Sequence, residues 1–165
     1  MANVKEGTSI VSSTGEIVVE PRAKRLAITS PRSWALTCVQ DASSDTIAVK
    51  GVTSPQAFYL ISLDGEPLAT SKKALFVHQV NLANTEQKFD TADRVLLRSW
   101  GKLPGLYRKA KVEVELKLPA AKITALKLDG AENGEVPATF ANGLLKFTAD
   151  NSARKGGVFV YLLTR

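Results

Sequence analysis

The sequence predicts an all-β domain: an antiparallel β-sandwich of two packed sheets with about ten strands. Three observations carry that expectation. Residues 111–118, KVEVELKL, alternate apolar and charged without a break, the period of a strand with one buried and one wet face. Short apolar segments rich in Val, Phe and Tyr recur along the chain. Turn dipeptides separate these segments at the spacing of an all-β fold.

Taken in order, residues 1–8 read as a lead-in and 9–165 as a single domain without internal repeat or linker. Thr14-Gly15 supplies an early turn, and WALTCVQ places Cys38 between apolar neighbours, as a small core residue. Trp34, in PRSWALTC, falls near a strand end, where a sandwich needs a bulky plug. Three segments, AFYLISL (57–63), ALFVHQV (74–80) and GVFVYLLT (157–164), are apolar on both faces. They fit central strands covered on each side, by another sheet or by a neighbouring domain, with Tyr59 and Tyr161 as packing rings.

Asp64-Gly65 and Asn142-Gly143 are expected to make tight hairpins, because their residues tolerate positive φ. Asp129-Gly130 and Asn133-Gly134 add further turns, and Pro31, Pro55, Pro104 and Pro119 are expected at strand ends. NLANTEQKFDTAD, 81–93, is the longest stretch expected to be helical or irregular. RSWGKLPG reads as a corner: Gly101 and Pro104 turn the chain, and Trp100 caps the sandwich end or faces a partner domain. LLKFT repeats the period of two with Leu145 and Phe147 on one face.

At 165 residues the chain is long enough to bury well over half of its unfolded surface. The net charge of +6 is spread, RAKR at 22–25 being the only dense basic cluster, so no nucleic-acid partner is expected. No run of about 18 apolar residues exists, so no membrane span is expected. The N-terminal stretch MANVKEGTSIVSS lacks an apolar segment of signal-peptide length, while a secreted or periplasmic parent protein stays open. The lone Cys38 excludes an intrachain disulfide and any multi-cysteine metal site.

Candidates for chemistry are few. His78, the single histidine, lies in the apolar run LFVHQVN and reads as a hydrogen-bonded structural residue rather than a base or ligand. No G-x-S-x-G marks an activated serine, and ARKGGVF opens a strand rather than a phosphate-holding helix. The acids Asp41, Asp45, Glu86, Asp90 and Asp93 lie in polar stretches that suit solvated or capping carboxylates better than a glycosidase pair. DASSD and residues 86–93 are oxygen-rich but lack a calcium-loop spacing. No catalytic residue, metal site or cofactor is therefore expected.

The passages YLISLDGEPLATSKKALFVHQVNLANTEQKF and LLRSWGKLPGLYRKAKVEVELKL resemble the C-terminal β-sandwich accessory domain of certain large bacterial (β/α)8-barrel glycoside hydrolases. The shared marks are the SLDG-PL element, an apolar strand ending near N-T, the WGKLP corner and a late G-V-Y-L strand. The opening SSTGEIVVEPRAKRLAITSPRSWALT is similar to the start of that domain, so the likeness spans residues 9–165. It implies a non-catalytic module whose partner is the catalytic domain of the same parent protein, packed against one sheet. It places no catalytic residue on this chain, and it implies an exposed apolar patch on the domain alone. Two alternatives stand beside it. One is a carbohydrate-binding module with Trp100, Tyr107 and Trp34 as stacking platforms; the other is an interaction domain unrelated to sugars.

Overall fold

The computed structural model describes residues 9–119 and 121–165. The lead-in expected at 1–8 lies outside the described residues. The chain opens with β1 (Ile10–Val11), β2 (Ile17–Glu20), β3 (Arg25–Thr29), β4 (Ser33–Cys38), β5 (Ala42–Ser43) and β6 (Ile47–Lys50). It continues with β7 (Gln56–Ser62), β8 (Lys73–Gln79), β9 (Leu82–Thr85), β10 (Lys88–Phe89), β11 (Leu97–Ser99) and β12 (Lys102–Tyr107). It closes with β13 (Lys111–Leu116), β14 (Lys122–Leu126), β15 (Glu132–Val136), β16 (Ala138–Ala141), β17 (Leu144–Asp150) and β18 (Val160–Thr164).

The architecture is the expected antiparallel β-sandwich. One sheet has nine strands in the order β1-β2-β3-β4-β7-β8-β18-β14-β15, the other five in the order β16-β17-β13-β6-β5. KVEVEL forms β13, the central strand of the smaller sheet, hydrogen-bonded to β17 and β6. Its alternation lands as the period dictates: Val112, Val114 and Leu116 are buried, while Lys111 and Glu113 face solvent. Glu115 accepts a 2.9 Å hydrogen bond from Lys146 directly across the ladder, a cross-strand charge pair on the wet face.

The two inner faces meet through rings. Phe76 on β8 stands edge-on to Phe147 on β17 at 5.2 Å, and Tyr161 on β18 lies 5.7 Å from the same Phe147. Trp34, Leu60, Phe76, Tyr161 and Ala125 form one cross-strand row beneath this contact, all buried. Trp34, the second residue of β4 and opposite the last residue of β3, is thus a buried ring near a strand end, on the inner face of the nine-stranded sheet.

Four local expectations are revised or refined. Asn142-Gly143 makes the two-residue hairpin between β16 and β17, with φ of +53° and +75°. Asp64-Gly65 does not make one, because β7 and β8 are joined by residues 63–72. Leu68 in that loop is fully buried and its N–H donates to the Pro31 carbonyl, so burial of one leucine draws the loop over the core. Asp64 closes the loop by accepting from Ser62 Oγ and from the Lys72 N–H at 2.7 Å.

Residues 81–93 are the third. They are not helical: β9 pairs with β12, and β10 with β11, so 82–107 is one nested hairpin arm. Pro104 is the fourth, lying inside β12 at the register shift between Lys102 and Gly105 rather than at a strand end. A bulge is where a missing N–H interrupts no ladder.

Candidate functional site

The histidine and the cysteine of the chain both lie in the core. His78 is fully buried, stacked 5.0 Å from Phe58, and its Nε2 lies 2.6 Å from Gln56 Oε1. An amide oxygen only accepts, so Nε2 carries a proton in this pairing. Burial lowers its pKa from 6.5 to about 4, the nearby Asp150 charge opposing the shift. Cys38 is buried, and its thiol is pushed up to about 11 by desolvation and the Asp41 charge, with Arg25 acting the other way.

Four of the five loop acids have separate partners. Asp41 accepts the Val52 N–H at 2.8 Å, Glu86 pairs with Lys102 at 2.7 Å, and Asp90 with Arg98 at 3.6 Å. Asp93 is held below the usual carboxylate range, mainly by the Thr91 hydroxyl. No three His, Cys, Asp or Glu side chains among the described residues converge on a point that could hold a metal ion.

Two surface features stand out. The first is a groove of about 490 Å³ along the hairpin arm. Trp100 and Tyr107, named from sequence, both line it, together with Leu82, Leu106, Leu128 and Phe159. Gly101 sets the corner: at φ +71° its backbone lies so close to the arm that a Cβ would meet the Thr85 carbonyl oxygen at 2.3 Å. Asn84 Nδ2 donates to the Trp100 carbonyl at 2.9 Å, and Thr85 Oγ1 to the Pro104 carbonyl at 2.7 Å. RSWGKLPG is thus a corner in its backbone, yet the Trp100 side chain is not a packed cap, since the residue is 74 % exposed.

Tyr107 is half-buried and meets Phe159 edge-on at 4.9 Å and 85°. Gly157 lies against both rings: an added Cβ would stand 2.7 Å from Phe159 and 3.3 Å from Tyr107. Trp34, the third ring named from sequence, is 8 % exposed in the core and does not join them. Sequence reasoning missed Phe159, Leu128, Asn84 and Gln87 as lining residues. They reach Trp100 only through the pairing of distant strands.

The second feature lies on the outer face of the nine-stranded sheet. Ile17, Ile28, Ala35, Tyr59, Val77, Val160 and Leu126 are directly opposed in register across seven consecutive strands. At about 4.8 Å per strand this apolar row is about 29 Å long. Ile61, Leu75 and Leu162 form a second row beside it. Most of these side chains are half-exposed, and Ile61 is 44 % exposed. An apolar pocket lined by Val77, Val80, Leu82, Leu128, Phe159 and Val160 links this face to the groove, sharing Leu82, Leu128 and Phe159 with it.

Compared with known proteins, the chain matches no family model, no curated protein and no solved structure.

Proposed function

We propose that the chain is a non-catalytic β-sandwich module of a carbohydrate-active enzyme, packing the outer face of its nine-stranded sheet against a catalytic (β/α)8 barrel of the same parent protein. The observation that carries the reading is the apolar row across seven strands. A wet antiparallel face ordinarily carries polar residues, as the outer face of β13 does here with Lys111, Glu113 and Glu115. Seven aligned apolar positions form a contiguous patch of the kind that marks an interface. The order of motifs from SLDG-PL through WGKLP to the last strand favours a glycoside-hydrolase barrel as the partner over an unrelated protein.

The test begins with the sequence of the full-length gene product, which is expected to encode an adjoining barrel. Hydrogen exchange of the chain with and without that barrel should then show protection at β4, β7, β8 and β18, and Ile61→Lys should weaken the association. A gene product without a barrel, or an outer face left unprotected by it, refutes the reading. Turnover of aryl glycosides by this chain alone refutes its non-catalytic part.

A further inference from the structure

The groove along the arm has a composition distinct from the docking face. Its lining side chains carry no charge. Its volume of about 490 Å³ lies within the range of small-ligand clefts. It combines a largely exposed indole with two amide side chains held on the same arm. Gln87 accepts the Asn84 N–H through Oε1 at 3.3 Å, and Asn84 donates through Nδ2 to the Trp100 carbonyl at 2.9 Å. Each amide is thereby oriented by one end. The Gln87 NH2 donors and the Asn84 Oδ1 acceptor remain without protein partners among the described residues.

We propose that this groove binds a neutral saccharide, one pyranose ring stacking on Trp100 while its hydroxyls bond Gln87 Nε2 and Asn84 Oδ1. The C–H face of a pyranose is apolar and its rim is a ring of hydroxyls, each both donor and acceptor. A flat aromatic in one groove with a free amide donor and a free amide acceptor matches that chemistry. An uncharged lining offers nothing to balance a uronate or sulfate, so the ligand class is the neutral sugar. Tyr107 and Phe159, locked edge-to-face over Gly157, make the rigid wall that limits the loss of freedom on binding. This site stands independently of the barrel-docking face, and it is tested on the chain alone.

Two tryptophans make the assay selective: Trp34 is enclosed, so a ligand-dependent change in emission reports Trp100. The chain is titrated with cellohexaose, xylohexaose, mannohexaose and laminarihexaose, and with oligogalacturonate as the anionic arm. At least one neutral hexaose should quench or blue-shift the emission. Calorimetric titration of that hexaose should show affinity falling at least about tenfold in Trp100→Ala, the scale of a lost anchor ring. Gln87→Ala should lose about fivefold, one hydrogen bond's worth. Because the Trp100 side chain projects into solvent, Trp100→Ala should unfold at the same temperature as the parent chain. Binding that survives Trp100→Ala, binding of the oligogalacturonate only, or no response to any of the sugars overturns the proposal.

Discussion

His78 gives the sharpest quantitative test of the core. Its folded pKa of about 4 lies below the ordinary 6.5, so between those values the unfolded chain binds a proton that the folded chain does not. Stability must then rise with pH across that window and fall as the solution is acidified. The full difference amounts to about 3 kcal/mol. Integrated from pH 7 down to pH 4.5, the loss is about 2 kcal/mol, of which about half has gone by pH 5.5. For a chain of this size that is a fall in Tm of about 4–8 °C.

The comparison is with His78→Gln, whose side-chain NH2 can still donate to Gln56 Oε1 but does not titrate. Urea unfolding of both proteins at several pH values cancels the contributions of carboxylates common to them. The difference in stability between parent and variant should change by about 2 kcal/mol, in favour of the variant, as pH falls from 7 to 4.5. A difference that stays flat would show that His78 is protonated or solvated in the folded state, and the burial argument would fail.

Four other outcomes follow from the packing. Phe76→Ala removes the ring that joins the two sheets through Phe147 and should cost about 3–5 kcal/mol in denaturant unfolding; a loss below about 1 kcal/mol would mean that the sheets are not held at this point. Gly143→Ala, in an open turn at φ +75°, should cost about 1–2 kcal/mol. Gly101→Ala should instead open the arm, because its Cβ collides with the backbone of Thr85 and Gln87; fast amide exchange in β9 and β12 is the readout, and unchanged exchange would refute it. Cys38 should resist a thiol-specific disulfide reagent at about pH 8 in the native protein and react once unfolded, as burial and the raised pKa both require; rapid native-state labelling would contradict its placement.

Much of the fold was legible because its signals are local. The alternation of KVEVELKL put Val112, Val114 and Leu116 inside, and Asn142-Gly143 made the hairpin its positive-φ tolerance allows. The arm was not legible. Residues 82–107 bury little, so no apolar period marks β9 to β12; they are held by backbone pairing, by the Glu86–Lys102 ion pair and by Arg94 over Phe89. Asp64-Gly65 was misleading for a related reason: the turn propensity of two residues yielded to the burial of Leu68 three positions on.

The candidate surfaces divide in the same way. Trp34, Trp100 and Tyr107 could be named as aromatic residues near corners, but local pattern does not distinguish an enclosed ring from an exposed one. That depends on which neighbours the sheet brings, and it sent Trp34 inward opposite Leu60 while leaving Trp100 in solvent on the arm. By itself the sequence determined the class of fold, the strands with a wet face and the tightest hairpin, since period and turn chemistry act over a few residues. Only the tertiary structure decided that seven apolar residues from seven strands would align in one row, and that Phe159 would stand against Tyr107. Strand order and register join residues far apart in the chain, and no local spacing encodes them.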